Sequence, residues 1–177
     1  MQLIHKLGIL LAILLSALIG TAQGKSDKLY DMYSGKDGVF TLSFNSSFLK
    51  PLEVFVDDDT KEVIMKMKKV RMLFYNEHKG TQNAFDVYER FTSELKGDKY
   101  FEIDPEEIDC KNGSIKVESD ENLLLIGHGT KNEMDEFHIL VNDDNNTMLF
   151  SFFGEITINN FKELGRFSKI SRKNMVY

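Results

Sequence analysis

Between Val39 and Phe44 apolar and polar residues alternate, with Phe40, Leu42 and Phe44 on one side and Thr41 and Ser43 on the other. That is the two-residue period of a strand with one buried face. Ahead of it, Leu29, Tyr30 and Tyr33 recur at the spacing of a helix, which Ser34-Gly35-Lys36-Asp37-Gly38 then breaks. Behind it, Ser46 or Ser47 is placed to cap a helix in which Phe48, Leu49, Leu52, Phe55 and Val56 keep a helical period and Pro51 falls in the tolerant first turn. Asp57-Asp58-Asp59 closes that helix. Asp59 and Glu62, three apart ahead of Val63, Ile64 and Met67, have the pattern in which two side chains satisfy the orphan amides of a new helix, so the aspartate run reads as a cap. Residues 70–75 are nearly continuous apolar sequence rich in β-formers, as in an interior strand with both faces covered. A helix over 83–96 would put Phe85, Tyr88, Phe91, Thr92 and Leu95 on one stripe and stop at Gly97.

The second half predicts strands at 100–103, 123–128, 137–141 and 148–153, with polar loops at 131–135 and 142–146 that suit antiparallel connections. Asn112-Gly113 favours a tight hairpin with Ile115 and Val117 alternating beyond it, and Thr157 or Asn159 opens a last helix carrying Ile158, Phe161, Leu164 and Phe167. Strands and helices alternate first, then strands run together and a helix closes. The order predicts an α+β fold, a single domain with a mostly antiparallel sheet and helices packed on one face.

The first 22 residues stand apart from this pattern. A start carrying Lys6 leads into an apolar block from Leu7 to Ile19, followed by the small residues Gly20, Thr21 and Ala22. The block has 13 residues, whereas a spanning helix needs about 20 and the apolar core of a signal peptide about 7–15. Residues 1–22 therefore read as a signal peptide cut between Ala22 and Gln23, and 23–177 as the exported domain, periplasmic or secreted, touching membrane only through the signal peptide before cleavage. Cys110 is the single cysteine, so the domain closes no internal disulfide, and no cysteine near the junction could accept a lipid.

Charge narrows the function classes. With 22 basic and 28 acidic side chains the net charge is 22 − 28 = −6, and without Lys6 it is 21 − 28 = −7, which leaves no positive field for nucleic acid or an anionic lipid surface. An apolar share of 42% is enough to build a core. No Gly-x-Ser-x-Gly or His-Glu-x-x-His pattern occurs. Gly20 to Ser26 has one residue too few between its glycines for a phosphate-binding loop, and Ser47-x-x-Lys50 lacks the partner motifs of the penicillin-recognising enzymes. Asp104, Glu106, Glu107 and Asp109 form an acidic cluster without the spacing of a calcium loop.

The candidate ligands are His128 and His138, which a hairpin turning near Glu133 would set across from each other on one face with Leu124, Ile126 and Leu140. Two imidazoles fall short of the three or four ligands zinc takes, and Glu136 is the available third. Gly127 and Gly129 flank His128 and mark a bulge or a close backbone approach that would shift the register. The sequence assigns no catalytic residues and no cofactor.

The end of the leader, Thr21-Ala22-Gln23, the opening Lys28-Leu29-Tyr30-Asp31-Met32-Tyr33, Gly38 to Phe44, Val70 to Phe74, the helix through Tyr88 and Phe91, and Gly154 to Leu164 together resemble the bacterial secreted family termed domain of unknown function 4252. The resemblance spans most of residues 28–170. It implies export from Gram-negative cells, with lipid anchoring in some members, and carries over no catalytic residues. This chain differs in lacking the lipidation cysteine and in a longer stretch from Asp104 to Glu121. The function expected is a non-enzymatic exported domain that binds another envelope protein. The alternatives are a small metal-dependent hydrolase using His128 and His138, and a carrier of an apolar ligand, to which 14 phenylalanines and 8 methionines point.

Overall fold

The structure is a computed structural model and describes residues 24–54, 58–97, 99–108 and 123–159. The leader, Cys110, the Asn112-Gly113 turn and the closing helix beyond Asn159 lie outside the described residues. Six strands form one sheet in the order β1-β2-β6-β5-β4-β3, every neighbouring pair antiparallel. The strands are β1 Val39–Asn45, β2 Met67–Asn76, β3 Tyr100–Ile103, β4 Leu123–Thr130, β5 Glu133–Asp143 and β6 Asn146–Ile156. Helix α1, Lys25–Tyr33, precedes the sheet, α2, Ser46–Leu49, and α3, Asp58–Lys66, follow β1, and α4, Ala84–Glu94, follows β2. This is the α+β architecture that the element order predicts.

Helices α1 and α4 cover one face. Ser26, Leu29, Tyr30 and Tyr33, at three-and-four spacing, are all buried, and the last three meet Val87 and Phe91 of α4 and Leu95 at its C-cap over Leu73, Leu140 and Leu149 of the sheet. The Tyr33 and Phe91 rings stand edge to face at 4.8 Å. The buried positions of α4 and its C-cap are Ala84, Val87, Phe91 and Leu95: Phe91 and Leu95 are in the expected stripe and Tyr88 and Thr92 are half-buried, but at the helix start Ala84 and Val87 are buried while Phe85 is 50% exposed. That difference follows from how the helix starts. Asn83 caps it by accepting from Phe85 N, while Ala84 is pinned by its own N–H to Glu77 and its carbonyl to Thr147 Oγ1, so Ala84 rather than Phe85 faces the sheet.

The opposite face is apolar as well. Leu42, Met72, Phe150, Ile139, Leu125 and Ile103 stand in one cross-strand row running the full width of the sheet. A second row joins Phe40, Phe74, Met148, Val141 and Leu123, and a third runs from Phe44 through Val70 and Phe152 to Phe137. One corner of this face is closed by Val63 and Ile64 of α3 together with Leu49 of α2 and Met67 at the start of β2, packed against Val70 and Phe152. The alternation in β1 sets its period correctly, but its apolar side is not the covered side: Phe40 is 53% and Phe44 37% exposed, because β1 is the sheet's outer strand and neither large helix packs on that face. β2 likewise alternates buried Leu73 and Tyr75 with half-buried Met72 and Phe74 rather than being covered on both sides.

Three local expectations change. Asn45, not a serine, caps α2, its side chain accepting from Ser47 N and Phe48 N at 3.1 and 3.3 Å. The helix after it lasts one turn and tightens to a 3-10 segment at Lys50–Val54, where Pro51 supplies no amide for the α pattern. The hairpin turns are also shorter than expected, two residues each at 131–132 and 144–145. Among the described residues no helix is long and apolar enough to cross a membrane.

Candidate functional site

Polar side chains gather at one place inside the helix-covered face. Helix α1 delivers Ser26 and Tyr30 from adjacent turns, β5 delivers Glu136 and His138, which share a face because they are two apart, and β6 delivers Ser151 from the position paired with His138. Ser151 is the polar member of an alternating run between Phe150 and Phe152, so the strand's period turns its hydroxyl inward. His138 Nδ1 lies 2.8 Å from Ser151 Oγ, and its Nε2 lies 3.1 Å from Glu136 Oε2. Tyr30 donates to Ser151 Oγ at 3.0 Å and to Leu149 O at 3.2 Å. Ser26 Oγ and the Tyr100 hydroxyl donate to the same Glu136 oxygen at 2.7 and 3.0 Å.

The electrostatics follow from this enclosure. Burial by itself would raise the Glu136 carboxyl, but the hydrogen bonds from His138 and Ser26, the charge of His138 and the Tyr100 hydroxyl outweigh it and bring the pKa down to about 2. Burial pushes the Tyr100 phenol up, and the neighbouring Glu136 charge adds to the rise. Burial likewise drives the Tyr30 phenol upward. Above Tyr30 the Arg71 guanidinium sits 4.0 Å from the ring centre, and it shares Asp27 Oδ1 with Lys69, both at 2.7 Å. Those two cations outweigh the cost of burial and lower the Asp27 carboxyl.

Serine, histidine and glutamate in series have the order of a hydrolytic triad, but the exposure decides against that use. Ser151 and His138 are both 0% exposed, so no carbonyl carbon can reach Oγ while the domain is folded. As built, the array is an internal polar cross-link that ties α1 to three strands.

The predicted ligand pair falls at its margin. His128 and His138 do share one face, with Leu124, Ile126 and Leu140. The register differs by two residues, which preserves the face: His128 stands opposite Glu136, and His138 opposite Ile126, with the bulge between His128 and Gly129. The two imidazoles flank Tyr100, at 4.6 and 6.0 Å between ring centres. His128 Nδ1 is paired with Asp135, and both nitrogens of His138 are engaged as described, so a metal at this pair would displace Ser151 or Glu136. Among the described residues no group of three or more His, Cys, Asp and Glu side chains is arranged to hold a metal ion. Sequence reasoning missed Ser26, Tyr30, Tyr100 and Ser151. The available signal was position: each is a hydroxyl placed by its element's period on the helix-covered side of the sheet or on the buried side of α1.

Fold and site together define a small antiparallel α+β domain, stapled internally by a carboxylate, an imidazole and hydroxyls. The chain belongs to the family described as Domain of unknown function (DUF4252), whose family model matches residues 33–164. No curated protein and no solved structure matches it.

Proposed function

We propose that the chain is an exported, non-catalytic domain that acts in the cell envelope by binding another protein through the sheet face opposite α1 and α4. The observation that supports this is the β1-β2-β6 part of the three cross-strand apolar rows on that face, where Leu42, Met72, Phe74, Met148 and Phe150 are half-buried, whereas Ile103, Leu125 and Phe137 at the far end are buried within the domain. The face ends in exposed Phe40 and Phe44, with Phe48 beside them 70% exposed. Contiguous apolar surface of this kind on a folded domain marks an interaction site, since leaving it in water forfeits about 25 cal/mol for each Å². The polar array works as scaffold for that surface, holding α1 to the sheet's other side. The leader, with cleavage between Ala22 and Gln23, is the route to the compartment, and the partner is an envelope protein with an apolar surface of its own.

The test replaces Phe150, at the centre of the face, with a photo-crosslinking phenylalanine, and compares it with the same group at exposed Glu89 on α4. Irradiation of intact cells should give one discrete adduct from position 150 and none from 89. Equal adducts from both positions, or none from 150, would refute binding through this face. The mass of the recovered protein should correspond to a chain beginning at Gln23.

A further inference from the structure

Among the described residues the sheet has two edge strands that pair with a neighbour on one side alone, β1 and β3. An edge strand offers unpaired N–H and C=O groups to any other strand, and folded domains ordinarily blunt it with charge, proline or a bulge. β1 carries none of these devices. Val39-Phe40-Thr41-Leu42-Ser43-Phe44-Asn45 contains no charged residue and no proline, and its ladder with β2 runs through seven consecutive pairs without a shift.

The backbone parity of this edge can be read directly. Asn76 N donates to Gly38 O at 2.9 Å, one step before the pair Val39 and Tyr75, so Gly38 turns its main-chain groups toward β2. By the two-residue alternation Phe40, Leu42 and Phe44 do the same. Those of Thr41, Ser43 and Asn45 therefore face the open edge, together with the carbonyl of Val39, whose N–H is given to Lys36 O at 3.1 Å. The strand is also nearly palindromic about Leu42, with Thr41 and Ser43 one step to either side and Phe40 and Phe44 two steps.

We propose that two copies of the chain pair antiparallel through β1, with the two-fold axis at Leu42. In this register Thr41 meets Ser43 of the second copy as a hydrogen-bonded pair, twice over, and at each end Asn45 N reaches the Val39 carbonyl. Phe40 meets Phe44 of the second copy as a non-hydrogen-bonded pair, the close kind, with Cα atoms about 4.5 Å apart. Cross-strand aromatic pairs of this sort are stabilising, and here they cover two of the exposed large aromatic residues. A two-fold interface brings one surface onto itself, which is what a palindromic, uncharged strand provides. The pairing joins two six-stranded sheets and makes their apolar faces continuous. It depends on the edge alone and stands whether or not an envelope protein binds the face.

Light scattering on the protein as recovered from expressing cells, over a hundredfold range of concentration, should give the mass of two chains at the upper end. Ser43→Pro removes an amide that faces the edge and leaves the β2 ladder intact, so it should halve that mass with an unchanged circular dichroism spectrum. Leu42→Cys in a Cys110→Ser background should form an interchain disulfide under mild oxidation, because the paired Cα atoms fall inside the roughly 4.4–6.8 Å that a disulfide spans, and Phe85→Cys on α4 should not. A single-chain mass throughout, or a dimer that Leu42→Cys fails to cross-link, overturns the proposal, and the cysteine result holds even if the proline variant does not fold.

Discussion

Glu136 shows how a single carboxylate can be both costly and stabilising. Three donors converge on one of its oxygens, and the pKa of about 2 lies below its ordinary 4.5. A carboxyl depressed on folding contributes stability that is complete above its unfolded value and is lost as pH falls through the folded one. Urea unfolding of wild type and Glu136→Gln should therefore differ most near neutral pH, with the gap closing between about pH 4.5 and pH 2; a gap that persists at pH 2 would contradict the assignment. Ser151→Ala should cost about 1–3 kcal/mol, because it leaves His138 Nδ1 buried without its partner, and denaturant midpoints at constant slope would measure it. Little of this array was legible in the chain. His128 and His138 drew attention as metal-binding residue types, whereas Ser26, Tyr30 and Ser151 are ordinary residues whose meaning comes from the docking of α1 onto strands more than a hundred positions away.

At the scale of elements the sequence spoke more clearly, because period is a local property. Strands β1 to β6, α1 and α4 all fall where alternation or helical spacing places them. What period does not supply is which face meets a neighbour. In α4 the pair Phe85 and Val87 illustrates this: the larger residue is exposed and the smaller is buried, because the cap and the two bonds at Ala84 set the helix rotation. Phe91→Ala should accordingly cost about 3–5 kcal/mol, while Phe85→Ala should stay within roughly 0.5 kcal/mol of wild type. Thermal or urea melts of the two variants give the contrast. Gly154 is the other local determinant. Its φ of 151° lies where side chains rarely go, and a methyl there would strike the Lys66 carbonyl at the irregularity where β2 begins. Gly154→Ala should destabilise by more than about 1 kcal/mol, measured the same way.

For the molecule as a whole, the two apolar faces of the sheet differ in how they are covered: one is sealed by α1 and α4, while the other buries Ile103, Leu125 and Phe137 at one end and leaves Phe40 and Phe44 exposed at the β1 end. Substitutions on the second, such as Phe40→Ser, should leave the melting temperature nearly unchanged while reducing adducts formed from position 150. The sealing of the first face also has an order in time. Ser26 and Tyr30 are among the earliest residues of the domain to be synthesised, yet their partners Glu136, Leu149 and Ser151 lie 110 to 121 positions later. The helix made first must wait for the strands made last, so the core cannot close while the chain is still growing. A chain ending at Asp143, without β6, should show no cooperative melt. Such a delay keeps the polypeptide open and threadable until its synthesis is nearly complete.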